Sequence, residues 1–228
     1  MRELILPESG PKLKLLDAAE QLFAEKGFEA VSVRDVTQFT KMNVAAVNYH
    51  FGSREGMQTL VILRYSNPVN EERLARLESA ERKWAGKGLP VEEIIDAFVR
   101  PLLGQARKTE LSERLFYKLL GRIFAENGDG LTPAIEENFR RVSDRFARAF
   151  GKALPGVAAD ELVARIHFMT GGVIHLLTHQ EMLNSGAATP PSMEATLGRL
   201  IRFAAAGLRE GTETEAPVKK GPQAMFDF

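Results

Sequence analysis

VSVRDVTQFTKMNVAAVNYHFGSRE, residues 31–55, decides how the rest of the chain is read. Small apolar residues run into Asn48, Tyr49, His50 and Phe51, so three hydrogen-bonding side chains stand in a row on a short helix. Ser32 precedes VRDVTQF and has Asp35 three places on, the spacing of a capping box. A short helix over about 33–40 follows. Asn43 is placed to cap a second over 44–50, and Ser53, with Glu55 in the next turn, to start another that runs to about Tyr65. Two short helices joined by a tight turn are a helix-turn-helix. Val33, Val36, Phe39, Met42 and Val47 are expected to hold the pair against a preceding helix. Asn43, Val44, Ala46, Asn48, Tyr49 and His50 are then left outside. A helix that enters the major groove needs a slim body near the bases and donors toward the phosphates. Ala45 and Ala46 give the slimness, the polar row gives donors, and Lys41 and Arg54 give charge.

The preceding segment supplies the support. Leu15, Leu16, Ala19, Leu22 and Phe23 recur at the spacing of one buried helical face, and Gly27 is placed to end that helix. Lys/Arg and Asp/Glu each number eight within 1–64, so the segment is not basic as a whole. The whole chain also carries a formal net charge of zero, so DNA affinity has to come from local arrangement rather than bulk charge.

Together these features resemble the N-terminal DNA-binding domain of TetR-family transcriptional repressors over 12–64, on LFAEKGFEAVSV, the turn and the closing YHFGSREGM. The resemblance implies phosphate contacts by Tyr49, His50 and Arg54, and a capping residue at Ser32 that also touches a phosphate. It implies groove-facing positions at Asn43, Val44 and Ala46. Arg34, Lys41 and Asn48 complete the expected DNA-binding set. Two departures stand out. Lys41 occupies a turn position often held by Gly, and Asn48 stands where a Tyr is common.

Beyond about residue 66 the chain changes character. SNPVNEE (66–72) holds Asn67 and Pro68 and is read as a helix break, which separates a DNA-binding domain (1–66) from a larger helical body (67–210). Helices are expected over 91–106, 110–126, 132–150, 159–183 and 193–209, with Pro101 kinking or splitting the first. The tail 211–228 lacks periodicity and is read as flexible, with Met225, Phe226 and Phe228 available to dock. No strand alternation or internal repeat is seen, so the expected fold is all-α.

Phe98, Leu102, Phe116, Leu119, Phe139, Phe168 and Met169 lie among many large apolar groups that make a core or line an apolar cavity, and Arg122 is a polar group within that pattern. Arg122 either pairs with a carboxylate or phosphate or is a surface arginine. The last two helices are apolar nearly all round, at Gly172, Leu176, Leu197, Ile201, Phe203 and Leu208, with His175 and His179 among them. That suggests a two-fold four-helix interface between protomers. The family resemblance implies the same role for these helices. A homodimer is also what two successive major grooves require.

The expected function is a repressor released from operator DNA by a hydrophobic effector. The later RIHFMTGG stretch, with AAVNYHFGS, is similar to a subgroup that senses fatty acids or their coenzyme A esters. The chain has no cysteine, no apolar run of bilayer length and no secretion signal at its start, which fits a reducing cytoplasm. No cofactor is expected. The competing reading is a small helical metal protein or enzyme using His167, His175 and His179. The four-residue spacing of the last two suits zinc, but HExxH, GxSxG and phosphate-loop motifs are all missing.

Overall fold

The computed structural model describes residues 6–7, 9–106, 111–125, 132–179 and 191–211. Among them are α1 (Gly10–Lys26), α2 (Val33–Thr40), α3 (Val44–Phe51), α4 (Arg54–Lys83), α5 (Val91–Val99), α6 (Pro101–Ala106), α7 (Glu113–Ala125), α8 (Pro133–Ala153), α9 (Ala159–Thr178) and α10 (Met193–Arg209). No strand occurs among the described residues.

The head is built from α1, α2, α3 and the start of α4. Leu15, Leu16, Leu22 and Phe23 of α1 meet Val36, Val47 and Met57 in one core, and the Phe23 and Phe28 rings lie 4.8 Å apart. Local chemistry sets each helix end. Ser32 Oγ accepts from Asp35 N, Asn43 Oδ1 from Ala45 N, and Ser53 Oγ from Gly56 N, at 3.2, 3.0 and 3.1 Å. Each satisfies an amide that the first helical turn leaves without a partner. Gly27 ends α1 with a φ of 94°. Gly56 is fixed by close approach, because a Cβ there would lie 2.1 Å from the Phe51 carbonyl oxygen.

The expected break at 66–72 is absent. α4 runs unbroken from Arg54 to Lys83 and contains Pro68. A proline inside a helix costs roughly 3 kcal/mol. Ser66, Val69, Asn70 and Arg73 around it are buried, and α4 packs against α5 and α8. That burial outweighs the missing hydrogen bond. The head and body therefore share one helix, and the expected boundary at 66/67 falls inside it.

The body layers α5 and α8 on α4, α10 on α5, and α9 between α7 and α10. Pro101 separates α5 from α6, as its position implied. α7 and α9 approach closely, since a Cβ on Gly121 would stand 2.3 Å from Thr178 Cγ2. α7 also packs on α1, so the body touches the head directly. At that junction Glu20 accepts from Arg64 Nη1 and Tyr65 Oη, each at 2.7 Å, and Tyr65 meets the edge of Phe116 at 5.7 Å. Burial pushes the Glu20 carboxyl up to about 7, against the opposing pull of Tyr65 and Arg64. The tail beyond 211 and the end of the expected 159–183 helix past His179 lie outside the described residues.

Candidate nucleic-acid interface and effector cavity

α3 turns one edge inward and the rest outward. Val47 is fully buried while Asn43, Val44, Ala45, Asn48 and Tyr49 are exposed, and Tyr49 is 82% exposed. Ala46 and His50 are half-buried. The His50 ring stands edge-on to Tyr49 at 5.0 Å, which holds the aromatic pair together at the C-terminal end of α3. Arg34 and Lys41 are exposed beside this face. Arg34, Lys41, Asn43, Val44, Asn48 and Tyr49 are thus exposed as the sequence reading expects, whereas Arg54, Ser32 and Phe39 have surroundings that it does not anticipate.

Arg54 has structural partners of its own. Its Nε donates to the Val31 carbonyl at 2.8 Å and its Nη2 donates to the Phe28 carbonyl. The guanidinium thus ties the α1–α2 loop to the start of α4, and this half-buried side chain positions the motif. Ser32 Oγ also donates to Asp35 Oδ2 at 2.5 Å, so its hydroxyl proton is engaged within the capping box. Those Ser32 hydrogen bonds hold the Asp35 carboxyl below its ordinary range. Phe39, expected in the core, is 53% exposed. Thr37 and Thr40 are buried in its place, and their hydroxyls donate to the Arg34 and Val36 carbonyls at 3.1 and 2.9 Å. Lys41, at the turn position often held by Gly, adopts the left-handed conformation, φ 57° and ψ 34°, which is strained for an L-residue.

In the body a cavity of about 330 Å³ opens between α4, α5, α8 and α9. Phe98, Phe139 and Met169 line it, as the sequence suggested, together with Arg73, Phe146 and His167. The five other expected ligand residues are elsewhere. Leu102, Phe116 and Leu119 are core, and Arg122 Nη2 donates to the Glu25 carbonyl of α1 at 3.4 Å. Phe168 points away from the cavity and is 77% exposed. It shares an outward face of α9 and α10 with Gly172, Leu200 and Phe203. Of the expected dimer residues, Gly172, half-buried, and Phe203, exposed, lie on this face, His175 is exposed beside Gly172 and Phe203, and His179 is exposed. Leu176, Leu197, Ile201 and Leu208 are buried in their own protomer. A helix that is apolar all round has two buried faces, and periodicity alone cannot separate them.

The three histidines do not converge. His175 and His179 stack at 4.7 Å, whereas His167 lines the cavity and has Nδ1 2.9 Å from the Val163 carbonyl oxygen. Among the described residues no group of three or more His, Cys, Asp or Glu side chains is arranged to hold a metal. Nor is any helix there long and apolar enough to cross a membrane.

A capped helix-turn-helix with a slim, aromatic-tipped outer helix, joined through α4 to a larger helical body, defines a DNA-binding regulator of transcription. Residues 15–58 match the bacterial regulatory proteins of the tetR family, and residues 96–207 match the tetracyclin repressor-like C-terminal domain. The chain belongs to the TetR family of transcriptional regulators. It is similar to the HTH-type transcriptional repressor BdcR of Escherichia coli (strain K12), 33% identical across 32% of this chain and 44% of that one. It is also similar to the HTH-type transcriptional repressor KstR2 of Rhodococcus jostii (strain RHA1), 40% identical across 22% of this chain and 24% of that one. The matches thus span less than half of either repressor's length. A tetR-family regulatory protein from Rhodococcus RHA1 shares the fold, with a TM-score of 0.60 at 16% identity over 88% of this chain and 97% of that one.

Proposed function

We infer that the protein is a ligand-responsive repressor that binds operator DNA as a homodimer and is released by a hydrophobic small molecule such as a fatty acid or acyl-CoA. One observation carries the DNA reading: α3 buries Val47 and turns Asn43, Val44, Asn48 and Tyr49 outward. Phosphate contacts by Tyr49, His50, Lys41 and Arg34 set the register, and Asn43, Val44, Ala46 and Asn48 face base edges. The exposed aromatic face of α9 and α10 supports the dimer, which spaces two α3 helices for successive grooves. The cavity beside α4 supports the ligand response, because α4 runs from its wall into the head. A ligand releases DNA only if it binds the mis-spaced state more tightly. His175 and His179 are outward-facing side chains in this reading, and the three-histidine enzyme site receives no geometric support.

The test is retention of random duplexes by the purified protein at two salt concentrations, with sequencing of the retained pool. Enrichment of a palindrome, weakened at the higher salt, is expected. Salt-sensitive retention with no enrichment excludes sequence-specific repression.

A further inference from the structure

Pro68 leaves α4 one rung short in the stretch that joins head to body. It has no amide proton to give the Arg64 carbonyl one turn back, and helices bend most readily at such a residue. One side chain of α8 spans this gap. Asn138 Nδ2 donates to Asn67 Oδ1 before the proline, and Asn138 Oδ1 accepts from Asn70 Nδ2 after it, both at 2.6 Å. Resting on the reading of the protein as a dimeric operator binder, we propose that Asn138 is a positioning residue: it clasps α4 across Pro68, fixes the bend there, and so sets the half-site spacing that the dimer accepts.

The clasp has a defined polarity. Arg73 Nη1 donates to Asn70 Oδ1 at 3.0 Å, and a guanidinium can only donate. Asn70 therefore turns its Nδ2 to Asn138, whose Oδ1 receives it, and the Asn138 Nδ2 is left for an acceptor on Asn67. Asn70 is buried and the other two amides are half-buried, so water competes little for these bonds. α8 touches α4 on either side as well, with Thr132 Oγ1 3.3 Å from Thr59 Oγ1 and Arg145 paired with Glu81. Of these contacts, the clasp is the one that lies over the proline.

The lever is long enough to matter. Arg54 and Pro68 are 14 positions apart on α4, which is about 21 Å of helix. A bend of about 10° at Pro68 then moves the head by roughly 3.5 Å, one base-pair step along DNA. α7 also holds the head, through α1, so the clasp adjusts a head that is already attached rather than carrying it alone. Two neutral hydrogen bonds favour the clasped state over an open one on the order of tenfold. That decides between adjacent spacings without deciding whether the chain folds.

The palindrome retained by the full-length wild-type protein is remade with its half-sites one base pair closer and one base pair further apart, and affinity for the three duplexes is measured by fluorescence anisotropy. The wild type is expected to prefer its own spacing by about tenfold. Asn138→Ala and Asn67→Ala should each reduce that preference below about threefold, with the preferred half-site sequence unchanged. Asn67→Ala leaves the buried Asn70 paired, so it decides the matter should Asn138→Ala fail to fold. Asn67→Asp, which keeps the acceptor oxygen, should behave as the wild type. Adding Pro68→Ala to Asn138→Ala should restore a preference for a single spacing, because a helix with its rung in place needs no clasp. Lost stability alone lowers affinity for all three duplexes by one factor, and that result overturns the proposal. So does an unchanged spacing preference in the alanine variants, a preference that Pro68→Ala does not restore, or equal binding of the three duplexes by the wild type. Failure of the wild type to retain any palindrome overturns the dimeric operator reading, and the clasp with it.

Discussion

Tyr49 on α3 and Phe203 on α10 are almost equally exposed, 82% and 79%, and their surroundings ask for opposite partners. Tyr49 sits at the end of a slim helix with Asn48 and His50 beside it, and its hydroxyl suits a wet, charged surface such as a phosphate backbone. Phe203 has no polar atom and shares its face with Phe168 and Leu200, which suits a dry partner such as a second copy of the same face. Exposure alone therefore does not say what a surface is for; the chemistry at the ring edge does.

The pair can be separated by mutation. Replacing both Phe168 and Phe203 with Glu places charges at the centre of the proposed interface. Dimer dissociation constants from analytical ultracentrifugation should rise on the order of 1,000-fold, and operator binding should fall with them. Tyr49→Phe should leave the dimer intact and weaken operator DNA only about fivefold, the worth of one hydrogen bond. Its salt dependence should not change, because the hydroxyl releases no counterion. If the double Glu variant sediments as the wild type does, the aromatic face is not the subunit contact.

Arg54 blurs the contrast, since it stands at the DNA end but is held by the Phe28 and Val31 carbonyls. Arg54→Ala should lower the unfolding free energy by about 1–3 kcal/mol, the cost of removing charge-assisted hydrogen bonds from half-buried carbonyls. Chemical denaturation measures this. A variant that loses DNA affinity at unchanged stability would return Arg54 to the phosphate-contact role that the family resemblance implies.

Glu20 joins the two ends. Its ordinary value of 4.5 applies to the unfolded chain, and in the folded protein burial raises it to about 7. Between those values the folded state holds a proton that the unfolded state has released. Stability from this site is therefore greatest below about pH 4.5 and declines as pH rises toward 7, with a slope of at most about 1.4 kcal/mol per pH unit. Glu20→Gln should flatten that part of the stability-versus-pH curve. An unchanged slope would mean that Arg64 and Tyr65 keep the carboxylate ionised.

The sequence was most legible where structure is decided locally. Ser32 with Asp35, Asn43, Ser53 and Gly27 mark helix ends because each acts on an amide or a turn within a few residues. Phe39 is exposed against expectation because an eight-residue helix offers too short a periodicity to assign its face. The buried side there uses Thr37 and Thr40, whose hydroxyls are satisfied by their own helix. Pro68 looks like a stop in the sequence because the burial that overrides it comes from α5 and α8, far along the chain. Arg73 gave no signal at all. In NEERLARL it looks like one more solvated charge, and only the packing of α4 against α5 and α8 turns it inward.

Lys41 is the smallest test and the most local. It occupies a turn position that often holds glycine, and its φ of 57° makes it a left-handed residue that is not glycine. Such a conformation costs an L-residue roughly 1–2 kcal/mol, and glycine avoids that cost while losing more entropy on folding. Lys41→Gly should therefore raise stability by about 0.5–1 kcal/mol in thermal or chemical denaturation. The same change removes an exposed cation beside α3, so operator affinity should fall and its salt dependence should lessen by about one counterion. A gain in stability with undiminished affinity would mean that Lys41 tolerates its strain without touching a phosphate. The opposite pair of results would mean that the turn is fixed by its neighbours, Asn43 capping α3 and Thr40 closing α2, more firmly than by the residue in the left-handed position.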